Sequence, residues 1–144
     1  MKRDAAQRGS VAVELVILTP GVILFFVVMV VAGRITLANQ AAEAAAFDAA
    51  RTASLARSAS TARNEATAAA MTSFQSQGIV CISLDVEVNT AGFAVEPPGP
   101  ATVSVSVSCD VQLADVALPG IPGNMTLSGE FTSPLDRYRS RSTS

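Results

Sequence analysis

The sequence predicts an α+β fold: a long N-terminal helix, half of it transmembrane and half exported, followed by a small antiparallel β-sheet. Two changes of pattern predict it. Residues 15–33 are apolar and uncharged, and an alanine-rich stretch with helical character follows over 35–76. After Gly78 apolar and polar residues alternate, which is typical of half-buried strands. The predicted parts are a basic leader at 1–9, a transmembrane helix at 10–34, an exported alanine-rich helix at 35–77, a β domain at 78–135 and a flexible tail at 136–144.

The apolar segment, LVILTPGVILFFVVMVVAG, is long enough to cross a bilayer. As a helix it would cover about 28 Å, close to the thickness of the hydrocarbon core. Thr19 can donate its hydroxyl hydrogen to the helix backbone, and Pro20 removes one backbone donor and is predicted to kink the helix. A buried helix of a soluble protein is seldom this long and apolar on every side, so a membrane segment is favoured.

Charges on either side of the apolar segment predict its orientation. Lys2, Arg3 and Arg8 precede it, and only Arg34 follows closely. By the positive-inside rule, we expect a single-pass protein of the cell membrane with a cytoplasmic N-terminus and an extracytoplasmic C-terminal domain. Cleavage by a secretory signal peptidase stays an alternative, although the segment exceeds the usual signal-peptide core of about 7–15 residues.

Glu14 is a carboxylate at the edge of this apolar segment, five positions after Gly9. If the chain were cut before Ser10, Glu14 would be the fifth residue of the mature protein. The new α-amino group and the carboxylate are each costly alone in a low dielectric, but they could neutralise one another between neighbouring subunits. Alternatively, Glu14 reaches the headgroups without a partner. The basic leader and the glycine spacing favour the paired role.

The string GSVAVELVILTPGVI, which begins at Gly9, resembles the start of the TadE-like family, pseudopilin-like components of the tight-adherence (Tad/Flp) pilus assembly system. The position of Pro20 fits this family, as does the closing SPLDRYR at 133–139. The sequence departs from the major pilins at two positions. Ser10 stands where type IV pilins commonly have a methylated aromatic residue, and Leu15 stands where small Flp pilins usually have tyrosine.

The resemblance implies a pilin-like fold, processing between Gly9 and Ser10 by a prepilin peptidase, and a role as a minor pseudopilin in pilus biogenesis, adhesion or secretion. Glu14 would supply the assembly contact. The implied partners are the membrane, other pilin-like subunits through helix packing, the peptidase, and indirectly the Tad platform protein and secretion ATPase. A different class of function stays open, namely a single-pass membrane-anchored extracellular binding module with no assembly role.

Residues 35–76 are predicted to continue the helix without interruption. Alanine is the strongest helix former, and neither glycine nor proline occurs between Arg34 and Gln77. Because an isolated helix in water is marginal, the alanine face is expected to pack on a partner helix or on the strands downstream.

Three strands are predicted, at residues 79–88, 101–113 and 125–132, with a turn-rich loop at 89–100. In the first strand the apolar, core-facing set is Val80, Ile82, Leu84, Val86 and Val88. A disordered tail is expected from Arg139 onward.

The two cysteines, Cys81 and Cys109, both lie in the exported region and are expected to form a disulfide. Cys81 lies on the polar face of its strand, whereas Cys109 is in phase with the valines of its own strand. Either a bulge shifts the phase, or the cysteines join strands that are not simple hairpin neighbours. A redox or metal role is disfavoured, because the chain has no histidine and no C-x-x-C motif.

The composition argues against catalysis and against nucleic-acid binding. There is no histidine, and the only lysine is Lys2 in the leader, so the usual general bases are missing from the exported region. Asp85 and Glu87 could suggest acid–base chemistry or a calcium site, but alternating charge on a wet strand face explains them better. Beyond the leader the chain has seven basic and eleven acidic residues. We therefore predict no enzyme, no cofactor, no metal and no nucleic-acid partner.

Overall fold

The computed structural model describes residues 4–117, 119–120, 122–138, 140 and 142, with side chains from Val13 onward. The elements are α1 (Asp4–Leu55), α2 (Ala59–Ser76), β1 (Ser83–Asn89), a 3₁₀ turn (Ala91–Ala94), β2 (Thr102–Gln112), α3 (Leu113–Val116) and β3 (Asn124–Pro134). The predicted α+β class is confirmed: a long, apolar N-terminal helix precedes a three-stranded antiparallel sheet.

The predicted uninterrupted helix over residues 35–76 is wrong at residues 56–58, where α1 ends and α2 begins. Ser58 adopts an extended conformation, and its side chain accepts a hydrogen bond from the backbone N–H of Thr61 at 3.2 Å. A serine in this position satisfies one of the free donors at a helix start. The new helix therefore begins at a serine cap, without the glycine or proline that usually marks a break.

Helix α2 runs back along α1. Ser73 Oγ donates to Asp48 Oδ2 at 2.8 Å, and Gln77 Nε2 donates to the Ala41 carbonyl at 3.5 Å, so later residues of α2 meet earlier residues of α1. The expected packing of the alanine face is confirmed, because alanines fill this interface and exclude water. The buried alanines are Ala38, Ala41, Ala42, Ala45, Ala46, Ala49, Ala50 and Ala53 on α1, and Ala59, Ala62, Ala66 and Ala70 on α2.

This interface gives a test of helix packing. Ala66→Leu adds three carbons where the side chain is fully buried, and we expect it to lower the free energy of unfolding by about 1–3 kcal/mol through overpacking. Ala68→Leu makes the same change on the exposed face of α2 and should stay within about 0.5 kcal/mol of the parent protein. Urea unfolding of the full chain in detergent, monitored by circular dichroism, measures the free energy of unfolding of both variants. Equal effects of the two substitutions would contradict the packed interface.

The sheet has the order β1-β2-β3, with β2 in the middle. Val86 faces Val107 across the first pair of strands, and Cys109 faces Leu127 across the second. The inner face is buried against the helices by Val103, Val105, Val107, Val111 and Leu127. On the outer face Ser104 and Thr132 share a hydrogen bond of 2.7 Å.

The first strand begins later than predicted, at Ser83, and its predicted core set is wrong at two positions. Val80 and Ile82 are 75% and 55% exposed, whereas Ile79 and Cys81 pack against the core. The chain bends at Ile82, whose N–H donates to the Asp110 carbonyl at 2.7 Å. The bend changes the phase between residues 79–82 and the strand that follows.

This change of phase resolves the position of the disulfide. Cys81 and Cys109 are bonded, with their Cα atoms 5.4 Å apart. Cys81 precedes β1, and Cys109 is fully buried on the inner face of β2 opposite Leu84. The two strands are direct neighbours, so the second alternative is wrong. The shift comes from the bend ahead of β1, with the ladder itself in continuous register.

The predicted tail falls partly outside the described residues, at 139, 141, 143 and 144. Ser142 is described and lies against the segment that joins α1 to α2. Its N–H donates to the Arg57 carbonyl at 3.0 Å, and its carbonyl accepts from the Ala59 N–H at 3.1 Å. This contact was not expected from the polar composition of the tail.

Candidate functional site: the exposed half of helix α1

Helix α1 has a bare half and a packed half. Every described residue from Val13 to Val30 is exposed. Val31 and Ile35 are the first to be partly covered, and Ala38 is buried. By length and composition the bare half is apolar enough to cross a membrane, and it lies near the N-terminus. This arrangement suggests a single-pass membrane anchor.

The backbone of the bare half carries the two features expected at Thr19 and Pro20. Thr19 Oγ1 donates to the Leu15 carbonyl at 2.6 Å, which confirms the return of its hydroxyl to the helix backbone. Pro20 lies inside α1. Because proline has no N–H, the carbonyl of Val16 lacks its usual helical donor. The helix kink at Pro20 stays a prediction.

The three residues of the predicted processing and assembly site lie on one helix. Gly9 and Ser10 fall within α1, whose first residue is Asp4, and the Glu14 side chain is exposed. Ser10 and Glu14 are one turn apart, with a rise of about 6 Å, and so share a face. A charged amino group at Ser10 could therefore lie beside this carboxylate or meet the carboxylate of an adjacent helix. No side chain that the structure describes pairs with Glu14.

Arg34 holds the C-terminal domain, residues 38–135, close to the point where the apolar segment ends. Its Nη1 donates to the Ala117 carbonyl, just after α3, at 3.3 Å. Sequence reasoning used Arg34 only as a flanking charge and did not foresee this contact. Its position directly after the apolar segment was the available signal, but the acceptor lies far along the chain.

Asp110, on the outer face of the sheet, was also missed. Its carboxylate accepts hydrogen bonds from Thr126 Oγ1 at 2.5 Å and from Ser83 Oγ at 2.7 Å, one from each neighbouring strand. The Thr126 bond, followed by the Ser83 bond, holds the pKa of Asp110 below its ordinary value. These bonds link the three strands at the end of the sheet where β1 begins.

The outer face also carries the predicted carboxylate pair, Asp85 and Glu87, which with Glu43 and Glu130 borders a shallow groove. Within the residues that the structure describes, no group of three or more histidine, cysteine, aspartate or glutamate side chains is arranged to hold a metal ion. The carboxylates therefore offer negative charge on a solvated surface.

The comparison with protein families concerns helix α1. Residues 9–51 match the model of the TadE-like protein family. This confirms the resemblance to the TadE-like family that was read from the sequence over that segment. The match ends within α1, so α2 and the sheet lie beyond it. No curated protein and no solved structure matches the chain.

Proposed function

We propose, from the TadE-like character of residues 9–51, that this chain is a minor pseudopilin-like component of a Tad (Flp-type) pilus assembly system. It acts as a structural subunit in pilus biogenesis, and through the pilus in adhesion or secretion. The observation that carries the proposal is the family match on a helix whose first half is bare and apolar on every side. Such a helix is suited to the bilayer before assembly and to packing against other helices afterwards.

Processing comes first in this proposal. The chain is inserted with its basic N-terminus in the cytoplasm and is cut between Gly9 and Ser10 by a prepilin peptidase. The new amino group then lies one helical turn from Glu14. Both charges are at the edge of the apolar segment, where an isolated charge is costly. Pairing between adjacent subunits relieves this cost and sets the axial offset between neighbouring helices.

The packed half of α1 explains how such a subunit presents its exported domain. From Ala38 onward one face of the helix is buried against α2 and the sheet. The domain is therefore attached directly to the helix whose N-terminal half enters the membrane in this proposal. Residues 13–30 can therefore pack against the helices of other subunits without disturbing the contacts between α1 and the domain.

The N-terminal mass of the protein purified from native membranes tests the processing step. A chain that begins at Ser10 is the expected result. An intact leader would contradict pseudopilin processing and favour a signal-anchored protein. A start beyond Gly33 would indicate secretory cleavage and would overturn the membrane-anchored assembly role.

Substitution of Glu14 tests the assembly contact. Glu14→Gln keeps the shape of the side chain and removes its charge, which leaves the neighbouring amino group without a counter-ion. Removing one partner of a buried pair costs about 3–5 kcal/mol, so recovery of this subunit with sheared pili should fall by about a hundredfold or more. Immunoblots of sheared and membrane fractions give the measurement.

Glu43→Gln is the matched control, because Glu43 is an exposed glutamate on the same helix beyond the apolar segment. It should leave the recovered amount unchanged. The alternative function, a membrane-anchored extracellular binding module, requires no charge at position 14. Full pilus output from Glu14→Gln, with normal insertion into the membrane, would favour that module.

A further inference from the structure

Two exposed apolar side chains mark one end of the exported domain. Val80 and Ile82 are 75% and 55% exposed, although both belong to an apolar stretch that could have faced the core. The disulfide fixes this arrangement, because Cys81 between them turns inward to Cys109. The side chains of Val80 and Ile82 consequently point outward, because the disulfide restricts rotation of this segment.

This end of the domain is the one nearest the apolar half of α1. The start of β1, the end of β2 and the start of β3 lie together, since Ser83 pairs with Asp110 and Gln112 pairs with Asn124. The α3 segment follows β2 directly, and the carbonyl of Ala117 just after it accepts the hydrogen bond from Arg34. This edge of the sheet therefore faces the bilayer when α1 is embedded in it.

The distances along α1 place this edge at the level of the lipid headgroups. A shallow groove is lined jointly by Leu37, Ile79 and Val116. Leu37 lies four residues beyond Gly33, a rise of about 6 Å, and each headgroup layer is about 5–7 Å thick. Val31, which is still inside the apolar segment, is already partly covered. Through the hydrogen bond from Arg34 to the Ala117 carbonyl, the domain reaches the residue that directly follows the apolar segment.

We propose that Val80 and Ile82, together with Leu37, which is 66% exposed and shares a groove with Ile79, insert into the headgroup–acyl boundary of the leaflet from which α1 emerges. The inference rests on the membrane anchoring in the proposed function. The membrane is the expected occupant because Ile79, the neighbour of Val80 in the chain, shares a groove with Leu37, which lies four residues beyond the apolar segment of α1. A single helix leaves the domain free to tilt, and this second contact fixes its orientation relative to the bilayer.

A tryptophan scan tests the contact, because the chain contains no tryptophan and a single introduced one reports alone. Val80→Trp and Ile82→Trp place the probe in the proposed contact. Met71→Trp is the matched control, since Met71 is an exposed apolar residue (48%) on α2, whose neighbour Ser73 bonds to Asp48 well beyond the membrane exit. Val27→Trp, in the bare half of α1, reports on the anchor itself.

The full chain is reconstituted into vesicles of phosphatidylcholine and phosphatidylglycerol that contain a lipid with a quencher at a shallow acyl position. Val80→Trp and Ile82→Trp are expected to emit at shorter wavelength than Met71→Trp and to lose much of their emission to the quencher. Met71→Trp should keep its emission, and Val27→Trp should be quenched by a lipid labelled deeper in the acyl chain.

Each other outcome overturns the proposal in a different way. Water-like, unquenched emission from positions 80 and 82, with Val27→Trp quenched, means an anchored protein whose domain stands clear of the lipid. Short-wavelength emission without quenching means that another protein subunit covers the patch. If Val27→Trp is also unquenched by the deep label, the membrane anchor itself is refuted, and the lipid contact falls with it.

Discussion

Gly129→Ala is expected to lower the free energy of unfolding by about 3 kcal/mol, because strand β3 touches the backbone of helix α1 at this glycine. A Cβ at position 129 would meet the carbonyl oxygen of Ala42, and it would lie 2.6 Å from the carbonyl carbon of Ala42 and 2.8 Å from Glu43 Cα. All three atoms belong to the main chain. No side-chain rotation can relieve the contact, so the helix or the strand must move.

Ser128→Ala is the control for Gly129→Ala. Ser128 is the neighbouring residue of β3 and is exposed on the outer face, so its replacement should change the free energy of unfolding by no more than about 0.5 kcal/mol. Urea unfolding of both variants in detergent gives the comparison. Equal stability of Gly129→Ala and the parent chain would mean that the backbones of α1 and β3 lie further apart than in this structure.

Loss of the disulfide is expected to cost about 3.5 kcal/mol in the double variant Cys81→Ala/Cys109→Ala. The bond closes a loop of 28 residues, and without it the unfolded chain gains the conformational freedom of that loop. The bond also holds residues 79–82 against the core at the place where the chain bends. Urea unfolding with linear extrapolation measures the difference.

Reductant supplies the control for the disulfide. It should destabilise the parent protein by a similar amount and leave the double variant unchanged, since the variant has no bond to break. The single variant Cys81→Ala should match the double variant closely, because either change removes the cross-link. A parent protein that titrates two free thiols without reductant would contradict the bond.

The fold class followed from the sequence because hydrophobic periodicity is a local property. The uncharged segment at 15–33 and the alternation over 101–113 require no knowledge of what they contact. The end of α1 at Leu55 could not be predicted from the sequence. Ser58 lies in a stretch of serine, threonine and alanine, and nothing local separates a capping serine from an exposed helical one. The return of α2 along α1 selects this serine.

The beginning of β1 shows a second limit of pattern reading. The alternation at residues 79–82 continues smoothly into the strand, so the sequence carries no mark of the bend at Ile82. The tertiary constraint is the disulfide, which draws Cys81 inward and turns Val80 and Ile82 out. The conflict of phase between the two cysteines was the one sign of it in the sequence.

The residues of the candidate site could be predicted from the sequence, but the groups that they bind could not. Glu14 could be recognised because a carboxylate beside an apolar segment is costly. Its proposed counter-ion belongs to another subunit, and that contact lies outside one molecule. Arg34, in contrast, binds within the chain, yet its acceptor at Ala117 depends on the complete fold.

The continuity of α1 has a mechanical consequence. The same helix that is bare at residues 13–30 packs into the core of the C-terminal domain from Ala38 onward, with no linker between the two parts. With residues 13–30 anchored in a bilayer, as proposed, a force applied to them would be transmitted to the sheet directly through the helix. The most compliant point of that helix is Pro20–Gly21, where a backbone hydrogen bond is missing and a glycine follows. Under such a force we expect the helix to bend at this point before the packing from Ala38 onward is disturbed.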